Sequence, residues 1–236
     1  GNLQFQEFHC IPSSRKLFSE SLEMGTELYH LLKKILIEKK AIHSVGDEGG
    51  FAPNLFSNTD AIELLVEAIE TSPFKINEDV YMGLDIAASS LFSNGKISIT
   101  DSKDAMTGEQ FGAFLNDLYH KYSLLSIEDP FGEDDWQSWS NFHSLMGKQV
   151  MIVGDDLLVT KKARLAQAIE TNACNAVLIK PNQVGTISET LQTIKLAKEN
   201  NMSVIISHRS GDTEEDFLAD LAVGVGADFV KFGAPG

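Results

Sequence analysis

Three short apolar runs in this chain each end in an acid. Residues 82–84 precede Asp85, residues 124–127 precede Glu128, and residues 150–153 lead to Asp155. A fourth run, Ala176–Ile179, ends in Lys180. Continuously apolar runs separated by helical patterns mark buried parallel strands with crossover helices. In a barrel of such strands the carboxyl ends share one rim, and active sites sit on that rim. Three carboxylates gathered there repel one another unless a cation holds them. All-oxygen donors of this kind suit Mg²⁺ or another hard divalent ion. Singly, each acid reads equally well as a helix cap or an ion-pair partner; three at successive strand ends favour a metal site. A lysine beside such a metal is a candidate proton acceptor, because burial and a neighbouring cation disfavour its charged form.

The alternation continues along the chain. A strand over residues 5–11 stops at Pro12, and a helical region follows over 14–40. VGDEGGFAPN reads as a Gly-rich loop. Asp60 with Glu63 predicts a helix start, as do Thr107 with Gln110 and Thr186 with Glu189. Strands are expected at 80–87, 124–127, 150–153, 176–179, 204–207 and 229–232, with helices at 136–145, 162–169 and 215–225. About seven strands result, where a closed (β/α)₈ barrel has eight. The expectation is an α/β fold: an incomplete TIM barrel, with a helical insert after its first strand, as one domain over 1–236.

At 236 residues the chain is close to the roughly 250 typical of that barrel. A net charge of −15 argues against nucleic acid, which wants a basic face, but not against an anionic substrate beside a metal. Cys10 and Cys174 form no CxxC pair or disulfide framework, which fits a reducing compartment. No apolar run reaches membrane-span length. The opening residues are no signal peptide, and a start at Gly1 reads as part of something longer.

The run at 204–207 delivers Ser207, His208, Arg209 and Ser210 to the same rim. These are donors and a cation placed where a phosphate or carboxylate can be clasped, and Arg can do so bidentately. A lone strand-end His is more often a structural residue; the Ser-His-Arg-Ser cluster is less easily read so. Lys231 is a further cation, at the last strand. Glu48 lies in the GDEGG loop, where glycines permit tight turns that project an acid inward; the plainer reading is a surface turn.

Taken together, these residues resemble the enolase family, the phosphopyruvate hydratases. The matching segments, in the family's order, are QEF at 6–8, GDEGGFAPN at 46–54, GLDIAAS at 83–89, SIEDPF at 126–131 and VGDDLLVT at 153–160. IKPNQVGT at 179–186, SHRSGDTEEDFLADLAVG at 207–224 and KFGAP at 231–235 complete them. The resemblance implies a Mg²⁺-dependent hydro-lyase of the cytoplasm converting 2-phosphoglycerate to phosphoenolpyruvate in glycolysis, reversibly in gluconeogenesis. It implies Asp85, Glu128 and Asp155 as ligands of a tightly held Mg²⁺, with a second Mg²⁺ arriving with substrate. Lys180 matches the base that removes the C2 proton, and Glu48 the acid that helps the C3 hydroxyl leave. Glu7 matches a supporting carboxylate near that hydroxyl. His208, Arg209, Ser210 and Lys231 match groups around the substrate carboxylate and phosphate, with Ser207 beside them.

Family members are longer. The resemblance implies an amino-terminal domain, a first barrel strand and a final helix outside this chain, and with that domain a mobile serine loop and much of the usual homodimer contact. The rival expectation is therefore a catalytically impaired enolase fragment acting as a non-enzymatic binding protein or remnant. A mandelate-racemase-like relative shares the three metal carboxylates, but SHRSGDTEEDF and GDEGGFAPN favour enolase.

Overall fold

The computed structural model describes residues 1–236. Its strands and helices run β1 (Glu7–Pro12), α1 (Phe18–Glu38), α2 (Asn58–Glu70), β2 (Val80–Asp85), β3 (Phe92–Ser93), β4 (Lys96–Ile97), α3 (Gly108–Tyr122), β5 (Ser126–Glu128) and α4 (Trp136–Met146). They continue with β6 (Met151–Gly154), α5 (Lys162–Thr171), β7 (Ala176–Ile179), α6 (Ile187–Glu199), β8 (Ser203–Ser207), α7 (Phe217–Val225) and β9 (Phe229–Lys231). Seven strands form one curled sheet in the order β1-β2-β5-β6-β7-β8-β9. The architecture is that of an incomplete TIM barrel.

From β2 to β9 every neighbouring pair is parallel, while β1 pairs antiparallel with β2. The reversal follows from the connection. A single crossover helix returns the chain to its starting end, whereas α1 and α2 carry it back and forth, so β2 starts where β1 finished. The two helices pack through Ile35 and Leu36 against Leu64 and Ala68.

The strand runs are apolar throughout because both faces are covered. Ile152, Val177, Ile179, Val204 and Ile206 pack outward in the main core against helix residues such as Leu165, Ile194 and Ala197. Val153, Ala176, Leu178 and Ile205 form a small inner cluster. Phe131 is the aromatic hub of the outer core, edge-on to Phe111, Trp139 and Phe142.

Three local expectations change. The cap of α2 is Ser57, whose Oγ accepts the Asp60 N–H at 3.1 Å, while Asp60 reaches back to the Ser57 N–H at 3.1 Å. Glu63, no cap partner, instead accepts from Tyr122 and Lys121. The helix expected over 14–40 starts only at Phe18. The β3–β4 hairpin was not foreseen, although its Asn94-Gly95 turn, with both φ positive, is a strong hairpin signal. The caps at Thr107 and Thr186 form as read. No helix is long and apolar enough to cross a membrane.

Asp101 ties distant segments together. Its carboxylate accepts the backbone N–H groups of Asn58 and Thr59 at 3.0 and 2.9 Å, and their side chains at 2.6 Å each. Asn58 in turn accepts the N–H groups of Gln4 and Phe5. Burial pushes the Asp101 carboxyl up, but the Thr59 and Asn58 hydrogen bonds outweigh it and hold it below its ordinary value. Its stabilisation is thus complete above the unfolded value near 3.9 and is lost as pH falls through the lowered folded value. Asp101→Ala is expected to cost about 2 kcal/mol in urea unfolding at neutral pH, with the deficit shrinking as pH falls below the unfolded value.

Candidate functional site

Strand register sets the geometry. Glu7 pairs with Asp85, and Asp85 with Glu128, so three acids on β1, β2 and β5 lie in one row. Glu128 pairs with Val153, which leaves Asp155 two residues further along, just past the end of β6. At the other side Ser207 pairs with Lys231, and His208 donates its N–H to the Lys231 carbonyl at 3.0 Å.

The Lys231 ammonium sits among the row of acids. It lies 2.5 Å from Glu7 Oε2, 3.0 Å from Asp85 Oδ2 and 2.9 Å from Glu128 Oε1. Lys180 Nζ lies 2.5 Å from Asp155 Oδ2. A cavity of about 180 Å³ opens at this rim. Lys180, Glu48, Glu7, Ser207, His208, Arg209, Ser210, Lys231, Asp85 and Asp155 all line it. Of the residues singled out in the sequence only Glu128 does not; it is buried directly behind Lys231. Arg209 and Ser210 are exposed at the mouth.

The metal trio read from the sequence is therefore held by ammonium groups, two of its acids on Lys231 and the third on Lys180. One group of three acids, Asp129, Asp155 and Asp156, brings its oxygens within 4.8 Å of one another. Asp129 and Asp156 were not foreseen as site residues, though each is the second acid of an adjacent pair, in SIEDPF and VGDDLL. Adjacent residues of a regular strand face opposite ways, which hides the second acid. Here the strand has ended, and Asp129 has φ of 41°. Its carboxylate accepts the N–H groups of Asp155 and Asp156 at 3.0 and 2.7 Å. It thus fixes the turn that presents Asp155.

A second brace was also not foreseen. The Thr160 hydroxyl accepts the Lys180 N–H at 2.9 Å and donates to Gln183 Oε1 at 2.6 Å. Gln183 Nε2 lies 3.4 Å from Asp155 Oδ1. Val159 and Thr160 both have positive φ, at 41° and 57°. Two β-branched residues in that region are outliers, a strain that packing must hold in place.

The Glu48 loop is clasped from two sides. The Ala234 N–H donates to the Glu48 carbonyl at 3.0 Å, and the Tyr29 hydroxyl to that of Gly49 at 2.9 Å. Gly233, at φ of 82°, permits this, since a Cβ there would lie 2.9 Å from the Glu48 oxygen. The acid so placed points at His208, 3.6 Å away, and at Glu7.

The electrostatics divide these groups. Burial pushes Glu128 well up, and Asp85 adds to it while Lys231 opposes. Burial and then Asp155 push Asp129 up in the same way, against the N–H bonds it accepts. Burial lowers Lys231, but Glu128, Asp85 and Glu7 overcome this and keep it firmly charged. Burial raises Glu7 as well, yet the His9 hydrogen bond at 2.7 Å and the Lys231 charge hold it far below its ordinary value. Sharing a proton with that anion pushes Glu48 up to about 7, with burial assisting. Burial lowers His208. A carboxylate beside a carboxylic acid that keeps its proton to neutrality is a pair suited to acid catalysis.

The chain matches the model of one protein family, described as the enolase C-terminal TIM barrel domain, over residues 1–236.

Carboxyl ¹³C NMR should find Glu48 titrating near pH 7, identified by loss of the signal in Glu48→Gln. In Glu7→Gln the midpoint should fall toward the ordinary carboxylate value. Because the folded value is raised, Glu48 should cost stability as pH rises from the ordinary carboxylate value to about 7, with no further loss above it, and Glu48→Gln should remove that slope.

Proposed function

Since the chain belongs to the enolase family through this C-terminal barrel domain, we propose that it catalyses the Mg²⁺-dependent dehydration of 2-phosphoglycerate to phosphoenolpyruvate. The observation that carries the reading is the shared cavity: a lysine, a proton-holding acid, anion-binding groups and metal-type carboxylates converge on one rim.

Oxygen donors suit a hard divalent ion, and Asp155 belongs both to the metal trio and to the converging acids Asp129, Asp155 and Asp156. Asp85, Glu128 and Asp155 are buried carboxylates, and the negative charge at the rim exceeds what Lys180 and Lys231 supply. These three residues would hold Mg²⁺, with a second ion accompanying substrate. When bound, the metal supplies Lewis-acid stabilisation of charge on the substrate carboxylate, the general pattern of enolase-superfamily sites with a Lys or His base.

The chain's own residues supply the rest. Arg209, Ser210 and His208 bind the anionic ends of the substrate from the cavity mouth, with Ser207 beneath them. Lys180 takes the C2 proton as the neutral amine, with its backbone N–H held by the Thr160 hydroxyl. Glu48 gives its proton to the C3 hydroxyl, which leaves as water while the C2–C3 double bond forms. Glu7 stays anionic and keeps that proton on Glu48. Lys231 offers a fixed positive charge to the carboxylate oxygens. A cytoplasmic setting accords with the two unpaired cysteines.

The test is the rise in phosphoenolpyruvate absorbance with 2-phosphoglycerate, with and without Mg²⁺. Lys180→Ala should abolish solvent exchange of the C2 proton, by at least about a thousandfold, while still binding Mg²⁺. Undiminished exchange in that variant would remove Lys180 as the base. Absence of turnover from folded, metal-bound protein would remove the enzymatic reading of this chain.

A further inference from the structure

Lys231 uses all three of its donors on carboxylates, at 2.5, 3.0 and 2.9 Å, and each of those acids comes from a different strand. Asp85 and Glu128 are buried, with side chains only 4% and 3% exposed, so water cannot take over the neutralising role. Without a cation at that point the row Glu7, Asp85, Glu128 would hold three adjacent negative charges inside the fold. Two of the three are also the acids assigned to the metal. A divalent ion on Asp85 and Glu128 would face an ammonium bound to the same two carboxylates, and the two cations repel. We propose that Lys231 is a displaceable counter-ion of this cluster, occupying it in the metal-free protein and expelled into the cavity when a divalent cation binds. The proposal rests on the assignment of Asp85 and Glu128 as metal ligands.

The structure gives the displaced group somewhere to go. The backbone of Lys231 is anchored on β8 through the His208 N–H and the pairing with Ser207, so only the side chain need move. Its four-carbon stem is flexible. Lys231 already lines the cavity, with Ser207 and His208 as its backbone neighbours. Once off the carboxylates, it adds a positive charge on the side where Arg209 and Ser210 stand. Cation binding would thereby prepare the cavity for an anion, and by linkage an anion would strengthen cation binding. Lys231 remains protonated throughout; what changes is its partner.

Two measurements test this, neither needing turnover. The first is acetylation of Lys231 in the unmodified chain, followed by mass spectrometry with and without Mg²⁺. Protection in metal-free protein and a severalfold rise in modification on saturation with Mg²⁺ is the expected result. The second is calorimetric titration of Mg²⁺ into the chain and into Lys231→Met. The variant should melt at lower temperature without metal, and should bind Mg²⁺ at least about tenfold more tightly, the scale on which changes beside a metal act. If Lys231→Met does not fold without metal, the labelling result alone decides. Mg²⁺ binding with unchanged Lys231 reactivity overturns the displacement while leaving the metal site standing, as does equal or weaker binding by the variant. Failure of the parent chain to bind Mg²⁺ overturns the ligand assignment and the displacement together.

Discussion

Like-charge repulsion among buried carboxylates is the constraint around which this fold is arranged. Glu7, Asp85 and Glu128 stand in one row because β-pairing puts them there, with Asp129 just past the end of β5 and Asp155 just past the end of β6. Burial makes each charge more costly and each neighbour's charge worse. The sheet answers with a lysine from its far end. Strands β1 and β9 are the two termini of the strand order, yet Lys231 on β9 reaches Glu7 on β1. The curl of the sheet and the neutralisation of its acids are therefore one requirement: Lys231 can reach the row only if the sheet bends until its ends meet.

Topology supplies the rest of that arrangement. The α1–α2 pair reverses β1, so Glu7 comes from the first residue of its strand while Asp85 and Glu128 come from the last residues of theirs. An antiparallel strand thus still delivers its acid to the carboxyl-end rim. The same pair brings Tyr29 of α1 to the Glu48 loop. What reads along the chain as a helical insert is the device that places both Glu7 and Glu48.

Much of this was visible in the amino-acid order. Runs apolar on both faces betray strands without further information, and an acid or lysine directly after such a run lies at the rim. Lys180 and Asp155 were found in that way. Four kinds of feature were hidden. Strand direction depends on how many helices intervene, which periodicity over 14–40 alone does not decide. Asp129 and Asp156 lie where the strand's alternation has already ended. Thr160 and Gln183 act through hydrogen bonds between segments remote in sequence, and Thr160 sits in a backbone conformation its β-branched side chain disfavours. The trio Asp85, Glu128 and Asp155 was legible as a set of acids, but not the ammonium groups between them. Opposite charges far apart along a chain carry no mark of their pairing.

The two halves of the site differ in how they are held. Around β6 and β7, Asp129, Thr160 and Gln183 cross-brace Asp155 and Lys180 through hydrogen bonds, and Thr193 on α6 fastens the Thr160 carbonyl at 2.7 Å. The backbone of that half is held because its donors are matched, and loosening one leaves others unpaired, while the Lys180 ammonium itself rests on an ion pair with Asp155. Around β9 and β1 the ties are charge pairs on flexible stems and a loop clasped by Tyr29 and Ala234. Ion pairs are less directional than hydrogen-bonded braces and exchange partners when a stronger charge arrives. On the proposed reading the change of partner falls on the Lys231 side chain, while the Lys180 backbone and the turn that presents Asp155 stay braced. In the proposed reaction a base must meet one carbon-bound proton in a fixed line, whereas a counter-ion or proton donor has only to follow the charge. Rigidity and compliance are thus placed where the two kinds of task demand them.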